Sequence, residues 1–123
     1  MGFLKNLFGG KPTQPEKHYY TFNVKCKRCG EIIDKYGLPA YTEGLGAKGC
    51  VIFAPERIYG YRDYLTKVDA ELATLAWLYH MNHGIFMTPG VEEEWTLSIA
   101  HEQEHIDRYV AAFEAFASDV TGT

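Results

Sequence analysis

The stretch that decides how the whole chain is read runs from Gly84 to Asp107: Gly84-Ile85-Phe86-Met87-Thr88-Pro89-Gly90-Val91-Glu92-Glu93-Glu94-Trp95-Thr96-Leu97-Ser98-Ile99-Ala100-His101-Glu102-Gln103-Glu104-His105-Ile106-Asp107. Its first five residues are a short strand-like run, closed by Pro89-Gly90, a pair that favours a turn. Three glutamates follow as a loop. Trp95, Leu97 and Ile99 then alternate with Thr96 and Ser98, the period of a half-buried strand. Beyond Ala100 the period changes. Ile106, Tyr109, Val110, Phe113 and Phe116 or Ala117 make one apolar stripe, which predicts a helix from about Glu102 to Ser118. Glu102 and Glu104 stand in its first turn, where the positive end of the helix dipole favours acids.

Upstream, a second helix is predicted from about Val68 to Asn82, with Asp69 or Thr66 as its cap and His83-Gly84 as its stop. Val68, Leu72, Leu75, Ala76 and Tyr79 share one face, and Trp77, Leu78 and Met81 widen it. Trp77, Phe113 and Phe116 read as core aromatics. His80 and His83 suit the negative end of this helix as capping side chains. Residues 40–54 predict a hairpin, AYTEGLG and GCVIFA around a Gly46-Ala47-Lys48-Gly49 turn. The run from Cys50 to Ala54 is almost wholly apolar, so burial on both faces is expected until Pro55 ends it. Residues 56–65, ERIYGYRDYL, read as an aromatic, polar connector. The expected order is β-β-α-β-β-α: an α+β fold, a small, mostly antiparallel sheet with two helices on one face.

Three pieces are expected along the chain. Residues 1–17 read as a flexible N-terminal segment and linker, ending in the Gly- and Pro-rich GGKPTQPEK. Phe3, Leu4, Leu7 and Phe8 are too few to form a signal-peptide core or to span a bilayer, so no membrane association is expected. Asn6 stands where N-myristoylation after Gly2 wants Ser or Thr. Residues 18–30 alternate at Tyr20, Phe22 and Val24 and run into Cys26-x-x-Cys29-Gly30. That is the form of a strand and tight turn making half of a zinc-ribbon knuckle, with Cys26 and Cys29 as candidate zinc ligands. A redox dithiol and two unpaired thiols are the other readings of the pair. The third piece is 31–123.

A formal net charge of -4 argues against nucleic acid as a partner, because phosphate binding requires clustered Lys and Arg, and Lys25, Lys27 and Arg28 are the one short basic group. Three cysteines, an odd number with no secretory signal, fit a reducing cytoplasm rather than a disulfide framework.

The segment from Gly84 to Asp107 is similar to the C-terminal signature of glutamate-1-semialdehyde aminomutases and related class III pyridoxal-phosphate (PLP) aminotransferases. Gly84, Pro89, Glu93, Ser98, Ala100, His101, Ile106 and Asp107 fall at matching places. Upstream, EIIDKYGLPAYTEGLGAKGCVIFAP resembles the hairpin that opens the same lobe, with Gly44 and Gly46 at its glycines. The resemblance covers residues 31 to about 120. It implies the C-terminal lobe of a fold-type I PLP enzyme, a family that joins PLP to a lysine and moves an amino group. It also implies that the lysine and the phosphate-binding loop belong to a large lobe outside this region. No PLP-binding residue and no catalytic residue is therefore expected in this chain, and Glu93 is carried over as substrate-proximal. Glu92 stands where the family has an aromatic residue and Trp95 where it has a small one, which leaves the substrate open. A large aminotransferase lobe or self-association is the expected partnership. The change in character near Glu31 leads us to expect a fusion, a remodelled gene or a truncated product, inactive alone.

Two other functions compete. A zinc-binding interaction module would use Cys26 and Cys29. A zinc hydrolase would use His101-Glu102-Gln103-Glu104-His105, which has the form His-Glu-x-x-His. That motif must lie inside a helix to set both histidines on one face, and here a strand runs straight into His101, so the aminotransferase-like pattern is the better account of it.

Overall fold

The computed structural model describes residues 27–91 and 94–123. Within the described residues the chain opens in a helix, α1, over residues 27–36. A hairpin follows, β1 (Tyr41–Leu45) and β2 (Lys48–Ile52), then two helices, α2 (Tyr61–Lys67) and α3 (Ala70–Asn82). A short strand β3 (Glu94–Thr96) and a long helix α4 (Gln103–Thr121) complete it. The three strands form one antiparallel sheet in the order β1-β2-β3. This is the α+β class expected from the sequence.

The hairpin closes tighter than its glycines suggest. Leu45 pairs with Lys48, so Gly46-Ala47 alone forms the loop. Gly46 takes φ +62°, the left-handed conformation that two-residue hairpins require at their first turn position. On β2, Gly49 and Val51 are buried, whereas Cys50 and Ile52 are half-buried. The strand therefore buries one face deeply and the other partly, short of the two buried faces expected.

The core joins α1, β2, α3 and α4. Phe116 and Ala117 are fully buried, with Phe113, Val110 and Ile106 beside them on one stripe of α4, as its periodicity predicts. Phe53 packs edge-on against Phe116, with ring centroids 6.1 Å apart. The Phe53 carbonyl accepts from the Asp69 N–H at 2.8 Å, tying the end of the hairpin to the start of α3. Asp69 caps α3 by accepting from the Leu72 N–H at 2.9 Å.

The buried face of α3 is Ala73, Ala76 and His80, with Leu72 and Tyr79 packed at its edges; Leu75 and Leu78 are exposed. Small residues win the inner face because α3 lies close against the large aromatics of α4, where a leucine would overfill the gap. His80 is accordingly a core residue and not a helix-end cap. His83 behaves as expected of the helix end: its Nδ1–H donates to the Tyr79 carbonyl at 2.8 Å.

Four readings change. Helix α1 carries Cys29, Ile32, Ile33 and Tyr36 inward at i, i+3, i+4 and i+7, and it runs straight through Gly30-Glu31. Cys29 therefore sits on a helix and not in a knuckle turn, is 1% exposed, and belongs to the hydrophobic core. Cys26 lies outside the described residues. The second half of the expected connector, residues 61–65, is helical, as part of α2, which runs on to Lys67 and has no buried residue. Residues 85–88 form no strand; they are held instead by Trp77, whose Nε1–H donates to the Met87 carbonyl at 3.0 Å. The last strand is shorter than expected, because residues 98–101 turn to bring Ser98 onto His101.

Among the described residues no helix is long and apolar enough to cross a membrane.

Candidate functional site

A cleft of about 550 Å³ opens between residues 84–88, β3 and the start of α4. Its apolar wall includes Ile85, Met87, Leu97, Ile106 and the rings of Trp95 and Tyr109, whose centroids stand 5.7 Å apart edge-on. Phe86 and Ile99, 82% and 89% exposed, stand in the two segments that border it. Its polar side is made by His101, His105 and Arg108.

The two histidines are oriented by backbone. The Ser98 N–H donates to His101 Nδ1 at 3.0 Å. The Glu102 N–H donates to His105 Nδ1 at 3.0 Å, while the Glu102 carbonyl accepts from the His105 N–H at 3.1 Å. A neutral imidazole that accepts at Nδ1 carries its proton on Nε2. Both rings thus present an Nε2–H donor, and they meet edge to face with centroids 6.1 Å apart. A zinc site of the His-Glu-x-x-His type needs a lone pair from each histidine on one helical face. Here His101 precedes α4, and His105 is spent on the helix entry. Among the described residues no group of three or more His, Cys, Asp or Glu is placed to hold a metal ion, so neither the hydrolase nor the zinc-module reading finds support among them, Cys26 lying outside them.

Arg108 projects from the first turns of α4, its guanidinium against Gly84: a Cβ built there would stand 3.5 Å from Nη2. It makes no ion pair among the described residues, whereas Arg28 bonds Asp107 at 2.6 Å and Lys35 bonds Glu114 at 2.7 Å. Those two pairs clasp α1 to the outer side of α4. The hydrogen bond from Arg28 holds the Asp107 carboxyl below the usual carboxylate range, and that from Lys35 does the same for Glu114.

The chemistry of PLP demands a lysine at the cofactor. No lysine lines the cleft among the described residues. Lys35 and Lys67 are held by exposed carboxylates, which raises rather than lowers their pKa. Lys48 sits exposed on β2. These side chains do not fit a PLP-binding lysine. Glu93, carried over as substrate-proximal, lies outside the described residues. Arg108 was missed in the sequence, although it falls three residues after His105 on the same helical turn and carries the one permanent positive charge among the described residues that line the cleft.

No family model matches the chain. A glutamate-1-semialdehyde 2,1-aminomutase of Lachnoclostridium phytofermentans is 28% identical over 110 residues, covering 83% of this chain and 25% of the relative. The aminomutase of Geotalea daltonii is 31% identical over 81 residues, covering 66% of this chain and 19% of its own length. A β-phenylalanine aminotransferase from Variovorax paradoxus has the same fold over 92% of this chain and 26% of its own, at a TM-score of 0.74 and 23% identity. An omega-transaminase from Sphaerobacter thermophilus aligns over 79% of this chain and 22% of its own, at a TM-score of 0.62 and 17% identity. The chain spans about a fifth to a quarter of the curated relatives it matches.

Proposed function

We propose that this class III PLP-dependent aminotransferase-like chain acts as the C-terminal lobe of an aminotransferase or aminomutase site, with the cofactor lysine supplied by a large lobe. One observation carries the reading. The match in fold runs through nearly the whole chain, 92% of it, yet takes in only 26% of the aminotransferase it resembles. The family's reaction requires the cofactor lysine, so the lobe by itself is inactive in transamination.

The cleft edge supports the same reading. Phe86 and Ile99 hold apolar surface in water, which a covering partner would remove. We take that partner to be a large aminotransferase lobe. A cytoplasmic setting goes with this reading, in keeping with an odd number of cysteines in the sequence.

The test is direct. The purified chain, incubated with PLP, is expected to develop no visible absorbance of lysine-bound cofactor and no transamination of glutamate semialdehyde or β-phenylalanine. Added to a large aminotransferase lobe that carries its own lysine, it is expected to form a complex on size exclusion. Cofactor binding by the chain alone would overturn the reading.

A further inference from the structure

The cleft follows the edge of a strand. Trp95, Thr96 and Leu97 all line it, although neighbouring side chains of a strand point to opposite faces. Three consecutive residues meet one cleft only where it runs along the strand's backbone. The edge of β3 is open there: the strand pairs with β2 on one side and with no described strand on the other. The Leu97 N–H donates to the Ala47 carbonyl at 2.9 Å, on the β2 side. By the alternation of an antiparallel ladder, the N–H and C=O of Thr96 then face the open side, where no described residue bonds them. Such an edge is a template for another strand, and the cleft of about 550 Å³ beside it leaves room for one.

The described chain begins beside this edge. Cys29, in the first turn of α1, lines the same cleft, and the neighbouring Arg28 is bonded to Asp107 of α4 at 2.6 Å. Val24 precedes Cys29 by five residues, so it lies within about 18 Å of the cleft wall whatever path the chain takes. Residues 20–24 read Tyr20-Thr21-Phe22-Asn23-Val24, apolar at alternate positions, the pattern of a strand with one buried face. We propose that these residues add as a strand to the open edge of β3, with Tyr20, Phe22 and Val24 against the apolar wall of Met87, Leu97 and Ile106 and with Thr21 and Asn23 toward solvent. Five extended residues span about 17 Å, enough to pass the whole of β3. None of the five is charged, so the strand brings no ionised group into the apolar side of the cleft. The occupant is a segment of this chain, and the inference does not rest on the large lobe.

The experiment is amide-resolved NMR of the full chain, combining cross-strand NOEs with hydrogen exchange. NOEs between residues 20–24 and residues 94–97 are expected, together with a Thr96 amide protected from exchange. Phe22→Asp removes the apolar face, and a Phe22→Pro, Asn23→Pro double variant removes a ladder donor in either alignment of the strand. Each should speed exchange at Thr96 by about tenfold or more while the amides of α4 keep their native rates. Phe22→Leu should keep the protection. A Thr96 amide that exchanges freely in the unaltered chain, or NOEs from residues 20–24 to β1 instead, would overturn the proposal. So would NOEs from Glu92 and Glu93 to the outer side of Thr96, which would make that loop the occupant. NOEs found only between differently labelled copies would overturn it as well, in favour of a second copy. Because no large lobe is in the sample, failure here is separate from any failure of the two-lobe reading.

Discussion

The indole of Trp95 lies across Gly49, directly opposite it in the β2–β3 register: a Cβ added at Gly49 would stand 2.6 Å from the ring. The ring covers bare backbone in the middle of the sheet and reaches Tyr109 of α4 on its far side. A glycine in a strand interior ordinarily weakens it, and the aromatic neighbour restores the missing packing. Gly49→Ala is therefore expected to displace Trp95 and lower stability by about 1–3 kcal/mol, the usual range for overpacking. Urea unfolding of the variant, with tryptophan fluorescence to follow the indole, checks both halves of the claim. An unchanged midpoint would show that the ring has room to shift.

Two phenylalanines should behave oppositely. Phe116 is 0% exposed and touches Phe53, Tyr79 and Phe113. Phe116→Ala is expected to destabilise the chain by about 3–5 kcal/mol, which unfolds a small domain of ordinary stability. Phe86 is 82% exposed, so Phe86→Ala should leave the unfolding midpoint within error. Its effect belongs to association: a weaker complex with a large lobe on size exclusion.

His80 gives the fold a pH dependence. Burial pushes its pKa below the ordinary 6.5, while the Nδ1–H bond to the Ala76 carbonyl opposes the shift. The unfolded chain then takes up a proton that the folded chain refuses. Stability is complete above the ordinary value and falls as pH drops below it toward the folded value. Urea midpoints should decline from about pH 7.5 to about pH 5.5, and His80→Phe should flatten that decline. A slope that survives in the variant would assign it to other groups.

Cys29 distinguishes a core thiol from a ligand. It is 1% exposed, packed with Ile32 and Ile33, whereas Cys50 is half-buried. In the native chain a thiol reagent should modify Cys50 well before Cys29, with Cys29 reacting at the rate of unfolding. Cys29→Ser should cost about 1–3 kcal/mol, because a smaller and more polar oxygen replaces a sulfur packed among Ile32, Ile33 and the rest of the core. Rapid native-state labelling of Cys29 would contradict its place in the core.

Much of this was legible in the residues. The stripe from Ile106 to Ala117 needed only helical period, and the hairpin needed only Gly46 between two β-rich runs. The resemblance in Gly84 to Asp107 pointed to the lobe before any coordinates. Other parts were hidden by competing signals. The Cys26-x-x-Cys29 spacing drew the eye to metal, while the same Cys29 with Ile32, Ile33 and Tyr36 already spelled one face of a helix. Residues 84–88 look like a strand because their apolar content is right, yet none of the described strands pairs with them, and the Trp77 indole donates to the Met87 carbonyl instead.

The sequence by itself determined the class of fold and the order of most elements, because both rest on local period and spacing, and its resemblance to a known family gave the kinship with aminotransferases. Only the tertiary structure decided what the residues from Gly84 to Asp107 do together. It turned His101 and His105 onto backbone donors, and so took from the His-Glu-x-x-His motif the lone pairs a metal would need. It also set Arg108 beside Gly84, 24 residues earlier in the chain, at the rim of one cleft. Spacing along a chain states which groups can share a helical turn; which nitrogen of a ring faces outward depends on the neighbours that folding brings to it.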